Sequence, residues 1–245
     1  MQKYFISASE FDRQCIRNED VFHIRTVMRY KVGDLILVAY NSRSYLARLT
    51  MITDKEVSFE IVEEKTENRE FPFFIHLFQG YPKGDKLENI IKYGTQLGVR
   101  AVCPVLMQYS VVKLEEKKKK AKQERFSKIA KEAAEQSFRN IVPRIDEVCR
   151  LKEIDFSSYD LKIVCYEEAA KSGEKSAFKQ MVRQIKPNMN VAIIVGPEGG
   201  ISPGELSYLE EQGFIKVGLG PRILRTETVV FYVLSAISYE WELKE

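Results

Sequence analysis

The stretch VGPEGGISPGEL, residues 195–206, decides the fold class. It continues the run Val191-Ala192-Ile193-Ile194, which is apolar without interruption, as a strand buried on both faces in a parallel sheet is. Gly196, Pro197, Glu198, Gly199 and Gly200 then make a tight loop, and a helix begins. Ser202 caps it, Pro203 takes the first helical position, Glu205 completes a capping box, and Gly213 suits its far end. The glycines therefore lie between the C-terminal end of a strand and the start of a helix, where open α/β sheets bind ligands. A plain strand–helix connection that needs positive φ uses the same residues. A ligand loop uses them because backbone N–H groups can come close where no Cβ intervenes. The spacing fits neither the dinucleotide fingerprint nor the P-loop. Glu198 inside the loop would repel a phosphate.

Working outward, apolar runs at 74–78, 101–105, 161–166, 191–195 and 215–219 alternate with helical segments, the signature of an α/β domain. A long helix is predicted over 117–138, with Phe126, Ile129, Ala130 and Ala133 on one stripe. Its lysines at 117–120, with Lys113, Lys122 and Arg125 near them, read either as a solvated face or as a surface for nucleic acid. A second loop, LGPRILRTET at 219–228, again leaves a strand and enters a helix. That last helix carries the stripe Val230, Val233, Leu234, Ile237 and Trp241, read as core or subunit interface. Upstream, Leu35–Tyr40, 45–52 and 57–62 are short β-prone runs separated by turns, which suggests a small barrel. The polar stretch 63–70 reads as a linker, so the domains are predicted as 1–70 and 71–245.

Composition narrows the chemistry. The chain has 245 residues, 44% hydrophobic and 30% charged, with a net charge of +3, enough for a real core and no extreme polarity. No apolar run is long enough to span a bilayer and no signal peptide opens the chain, which predicts a cytoplasmic protein. Cys15, Cys103, Cys149 and Cys165 show no C-x-x-C spacing, so buried reduced thiols are expected rather than zinc or disulfides. His23 and His76 are the only histidines, which disfavours metal and Ser-His-Asp chemistry.

The two loops IVGPEGGIS and LGPRILRTET, a dozen residues apart, together resemble the ribosomal RNA small subunit methyltransferase E family, a branch of the SPOUT methyltransferases. The resemblance runs along nearly the whole chain. It takes in His23-Ile24-Arg25, Val27-Met28-Arg29 and Val32-Gly33-Asp34, then Lys83-Gly84-Asp85-Lys86 and Thr95-Gln96-Leu97-Gly98-Val99. It continues through Ala133-Ala134-Glu135-Gln136-Ser137, Arg139 and Val142-Pro143. It implies a PUA-like RNA-binding β-barrel followed by a trefoil-knotted α/β domain, although knots are otherwise nearly absent from proteins. It implies S-adenosylmethionine as cofactor, a homodimer, no metal, and methylation of N3 of one uridine in the decoding region of the small subunit's 16S rRNA. The rival readings are another SPOUT target, such as a tRNA or a ribose 2′-hydroxyl, and a non-catalytic RNA-binding assembly factor.

Methyl transfer from a sulfonium is an in-line displacement, so positioning is most of the task. Backbone at Gly196, Pro197, Gly199, Gly200, Leu219 and Gly220 can line a cofactor cleft, with Ile201, Ile223 and Leu224 beside the adenine and Thr226 and Glu167 completing it. Uracil N3 must lose a proton before it attacks, and Glu198, Glu227 and Glu167 are the candidate acceptors. Arg225 or Arg222 can stabilise charge on the uracil carbonyls. His23, Arg25, Arg29, Lys31, Lys83 and Arg139 are read as RNA contacts. Tyr93, Gln96 and Tyr109 stand where the family pattern commonly has Lys, Glu and Arg; these departures are expected on the RNA or dimer face.

Overall fold

The computed structural model of the protein describes residues 1–112, 116–168 and 176–243; Lys113 of the basic run lies outside them. The chain forms two units: Met1–Glu70 together with Ala134–Val142, and Phe71–Ala133 together with Pro143–Glu245. The break at residue 70 falls where the polar stretch ends. The return of Ala134–Val142 to the first unit was not legible in the sequence.

The first unit is built on strands β1 (Lys3–Phe5), β2 (Cys15–Arg17), β3 (Leu35–Tyr40), β4 (Arg43–Ile52) and β5 (Glu56–Lys65). They form one sheet in the order β1-β3-β4-β5-β2, with β1 parallel to β3 and the other pairs antiparallel. Short helices α1 (Ala8–Arg13) and α2 (Glu19–Phe22) run between β1 and β3, with a π-helical turn at His23–Val27. Tyr4, Ile16, Ile24, Ile36, Leu49 and Phe59 share its core. The predicted linker is shorter than expected, because β5 continues to Lys65. Cross-strand ion pairs, Arg48–Glu60 at 3.0 Å and Arg43–Glu64 at 3.2 Å, run along the exposed side of β4 and β5, while Ala47, Leu49, Val57 and Phe59 alternate with them into the core.

Arg139 corrects a sequence expectation. Its side chain is 3% exposed and forks onto the Glu70 carboxylate, so no RNA phosphate can reach it. Asn140 N donates to the same carboxylate at 3.0 Å. Beside them Lys3, itself buried, donates from Nζ to Phe138 O at 2.9 Å, Arg139 O at 3.2 Å and Asn140 Oδ1 at 2.8 Å. Burial pushes the Lys3 ammonium down to about 8, with Arg69 adding to the effect and Glu70 and Glu67 opposing it.

The second unit holds a parallel sheet in the order β12-β10-β11-β6-β7-β8. Its strands are β6 (Phe74–Gly80), β7 (Ala101–Leu106), β8 (Arg144–Ile145), β10 (Leu161–Cys165), β11 (Asn190–Val195) and β12 (Ile215–Val217); β9 (Cys149–Arg150) pairs with β7 off that path. From β6 the chain moves outward to β7 and β8, whereas β10, β11 and β12 lie on the other side. The topological switch therefore falls between β6 and β11, and the C-terminal ends of these strands are the expected ligand edge. The helices are α3 (Lys86–Gln96), α4 (Glu116–Gln136), α5 (Ala177–Gln184), α6 (Pro203–Glu211) and α7 (Thr226–Glu242).

Val230, Val233, Leu234 and Ile237 of α7 are each at most 1% exposed within the chain itself. The stripe is core, and it does not furnish a subunit interface. Trp241 packs on Phe73, while Tyr232 and Tyr239 stand exposed.

All four cysteines are free; Cys103 Sγ lies 3.4 Å from Cys149 Sγ across neighbouring strands. Cys149 and Cys165 are only partly buried. His76 sits between Tyr159 OH and Asp146 Oδ2, the latter 2.7 Å from Nε2. Among the described residues no group of three His, Cys, Asp or Glu is placed to hold a metal, and no helix is long and apolar enough to cross a membrane.

Candidate active site

The first loop is built as its sequence predicts. Ser202 Oγ accepts from Glu205 N at 3.3 Å, and Glu205 Oε2 accepts from Ser202 N at 3.1 Å, closing the capping box that starts α6. The other Glu205 oxygen accepts from Gln108 N at 2.7 Å. Gly200 N donates back to Pro197 O at 2.9 Å, which tightens the turn. The loop passes against the end of β6, where a Cβ on Gly80 would stand 2.4 Å from Pro197 Cδ. Only glycine allows that approach.

The second loop is anchored by Thr226, the first residue of α7. Its Oγ1 donates to Gly196 O at 2.7 Å and accepts from Gln79 Nε2 at 2.8 Å. Gln79 is fully buried and also donates to Gly80 O at 2.9 Å. One polar chain, Gln79–Thr226–Gly196, thus joins the last turns of β6, the first loop and the start of α7. The sequence reading passed over Gln79. A lone amide in an apolar strand, next to a glycine, was its signal.

Between the loops lies a cleft of about 940 Å³. Glu167, Gly196, Pro197, Gly199, Gly200, Ile201, Leu219, Gly220, Ile223, Leu224 and Thr226 all line it, as do Glu198 and Arg225. Glu227 is not on the wall but lies just behind it, and its Oε2 is 3.7 Å from Lys86 Nζ. Lys83, first read as an RNA contact, also lines the cleft, and so does Lys86, which the sequence reading left out of the site. His23, Arg25, Arg29 and Lys31 belong to the first unit. Tyr4 OH meets His23 Nδ1 at 3.0 Å, Arg25 pairs with Asp54, and Arg29 and Lys31 are exposed.

The glycines divide the work differently from the sequence reading. A Cβ on Gly196 would meet Ile201 Cγ1 at 2.9 Å, and one on Gly199 would meet Tyr109 Cβ at 2.7 Å. Both are therefore demanded by packing inside the protein. Gly200, at φ +77°, has nothing within 4 Å of its Cβ position and is the open cradle of the loop. The contact at Gly199 also places Tyr109 beside the first glycine loop. Tyr93 stacks edge-on against Phe231 of α7.

The charges of the cleft are organised around Lys86. Its Nζ donates to Glu198 Oε1 at 2.9 Å, and the Lys83 amide donates to the same carboxylate at 3.3 Å. Burial opposes ionisation of Glu198, but the Lys86 hydrogen bond, backbone donors and the Lys86 charge outweigh it and hold the carboxyl below its ordinary range. Reciprocally, the hydrogen bond to Glu198 holds the Lys86 ammonium above its ordinary range.

A parallel sheet with a cleft at its switch point, together with a separate small β unit, defines a two-unit α/β protein with a ligand site at its strand ends. A family model described as an RNA methyltransferase domain matches residues 69–238, and one described as an RNA methyltransferase PUA domain matches 16–62. The chain is 44% identical to a ribosomal RNA small subunit methyltransferase E of Bacillus subtilis (strain 168), covering 99% of this chain and 98% of that protein. A relative of the same name from Aquifex aeolicus (strain VF5) is 31% identical over 91% of this chain and 92% of its own length. Among solved structures, a ribosomal RNA small subunit methyltransferase E from Neisseria gonorrhoeae bound to S-adenosyl methionine has a TM-score of 0.84 at 27% identity, covering 98% of both chains. A putative methyltransferase from Legionella pneumophila with bound cofactor SAM also reaches a TM-score of 0.84 at 27% identity, covering 97% of both chains. The chain belongs to the ribosomal RNA small subunit methyltransferase E family.

Proposed function

We propose that the protein transfers a methyl group from S-adenosylmethionine to N3 of a uridine in the decoding region of 16S rRNA. The observation that carries this reading is the cleft at the C-terminal edge of the sheet, formed by both glycine loops and open at Gly200. Its volume falls in the range of sites that take a cofactor-sized ligand. The residues fit that cofactor: apolar Ile223 and Leu224 for the adenine, the Gly200 cradle for close backbone approach, and the Glu167 carboxylate for a cationic centre. When bound, S-adenosylmethionine supplies an electrophilic methyl on its sulfonium.

The chain's own residues handle the other reactant. Arg225, exposed on the cleft wall, faces charge that develops on the uracil carbonyls. Glu198 is committed to Lys86 and the Lys83 amide, which makes it a weak proton acceptor. Glu227, whose buried Oε2 lies behind the cleft wall without a hydrogen bond among the described residues, is the other acceptor, reached from the cleft through a water. The first unit, with His23, Arg25, Arg29 and Lys31, grips rRNA, and the lysine-rich start of α4 adds phosphate contacts. The enzyme works in the cytoplasm as a homodimer, for which the exposed Tyr232 and Tyr239 of α7 offer an aromatic surface. Mass-spectrometric mapping of 16S rRNA from cells lacking the protein tests the reading. One 3-methyluridine should disappear from the decoding region; an unchanged rRNA with a lost tRNA or ribose methyl overturns it.

A further inference from the structure

Two carboxylates on separate segments converge on one cation in the cleft. Lys86 opens α3, Glu198 sits in the first loop, and Glu227 lies in the first turn of α7, directly after the second loop. The ammonium is 2.9 Å from Glu198 Oε1 and 3.7 Å from Glu227 Oε2. All three side chains are between 21% and 28% exposed, so their charges are partly desolvated. Such pairs are screened less by solvent than surface pairs. Three separate chain segments therefore meet at one nitrogen, in addition to the Thr226–Gly196 hydrogen bond that already joins two of them.

We propose that Lys86 is a positioning residue that pins the Glu198 carboxylate against the Lys83 amide and, through Glu227, ties the first glycine loop to the start of α7, so holding the cleft in its ligand-accepting shape. The proposal rests on the cofactor reading of that cleft. Without the ammonium, Glu198 and Glu227 are two like charges left at one partly buried place with no cation between them, which favours protonation of one of them. Burial, the largest influence on Glu198, then acts in the same direction. The remaining charged groups around the pair are Arg225, close enough to oppose protonation of Lys86, and the side chains of Lys83, Arg222, Glu167 and Glu168 on the same cleft. None of them is shown bonded to Glu198. Among the described residues the other donors to that carboxylate are backbone ones, at Lys83 and at Glu198 itself, so the side-chain pin belongs to Lys86.

The test has two readouts on the full-length protein. The first follows glutamate carboxyl titrations by ¹³C NMR without cofactor. The second measures S-adenosylmethionine affinity by calorimetry at pH 5.5 and pH 7.5. In Lys86→Met one glutamate midpoint, assigned through Glu198→Gln, should rise by about one unit. Cofactor affinity should fall by more at the lower pH than at the higher, by up to about twofold for a one-unit rise from below the ordinary carboxylate range. Lys86→Arg keeps the charge and should retain both wild-type profiles in large part. Lys86→Met combined with Glu198→Gln should lose the pH dependence, which a merely destabilised fold would not do. An unmoved Glu198 midpoint, or a moved midpoint with unchanged affinity at both pH values, overturns the proposal. Failure of the wild-type protein to bind S-adenosylmethionine overturns the proposed function instead, and the NMR titration still decides whether Lys86 holds Glu198.

Discussion

The protein uses the same three residue types, lysine, arginine and glutamate, in two clusters with opposite character. In the first unit Lys3, Arg139 and Glu70 are nearly shut away from solvent, and their polar atoms meet partners fixed by the chain itself. In the second unit Lys86, Arg225 and Glu198 line an open cleft and stay partly exposed. A buried set with every donor placed costs too much desolvation to serve a visiting ligand; it fixes one arrangement of the backbone. A half-exposed set on a cleft keeps capacity for a substrate. The contrast shows why burial, and not residue type, separates architecture from chemistry here.

The comparison breaks most visibly at Arg139. Arg139→Ala strands the Glu70 carboxylate and should destabilise the first unit by about 3–5 kcal/mol, measured by urea unfolding followed by fluorescence. RNA affinity of the fraction still folded should be unchanged. Arg225→Ala should do the reverse. The protein stays as stable as wild type, while the single-turnover methyl-transfer rate at saturating cofactor falls by about 10²-fold or more. Lysine at that position should restore only part of the rate, because it lacks the planar fork of donors.

A smaller effect sharpens the comparison within the cleft. Gly200→Ala places its Cβ in open space at φ +77° and should cost about 1 kcal/mol of stability. Its cofactor affinity should fall by about tenfold in calorimetry, a loss of roughly 1.4 kcal/mol. Equal affinity would move the ligand away from this cradle. The smallest effect concerns pH. Lys3 titrates at about 8 in the folded protein against 10.5 when unperturbed, so between those values the unfolded chain binds more protons. Its contribution to stability should therefore be constant below pH 8 and rise from pH 8 to 10.5. Subtracting the profile of Lys3→Met isolates that slope; a difference that is flat or falls with pH contradicts it.

Local chemistry made the α/β sheet and its loops legible. The run before Gly196 read as a buried parallel strand and is one, and Ser202, Pro203 and Glu205 marked the next helix to the residue. All eleven cofactor positions chosen on sequence and resemblance line the cleft, because both loops are short and held between regular elements. The misses were non-local. Strands β1 and β2 have three residues each, too short for any period to show. Arg139 looked like a surface cation until Glu70, 69 positions away in sequence, was found against it. Lys86 lay in a quoted motif, yet its partners Glu198 and Glu227 come from segments more than a hundred residues later. The α7 stripe was correct as a period, but only the packed structure shows that the unit's own core uses it up.

The most direct test of the catalytic account is methyl transfer in vitro, with isotopically labelled S-adenosylmethionine and small ribosomal subunits, followed by digestion to nucleosides and mass spectrometry. The account predicts label in 3-methyluridine from the decoding region of 16S rRNA, lost with Arg225→Ala and retained with Arg139→Lys in protein that remains folded. Label on a ribose, on another base or on tRNA, or no incorporation by protein that binds the cofactor, would contradict it.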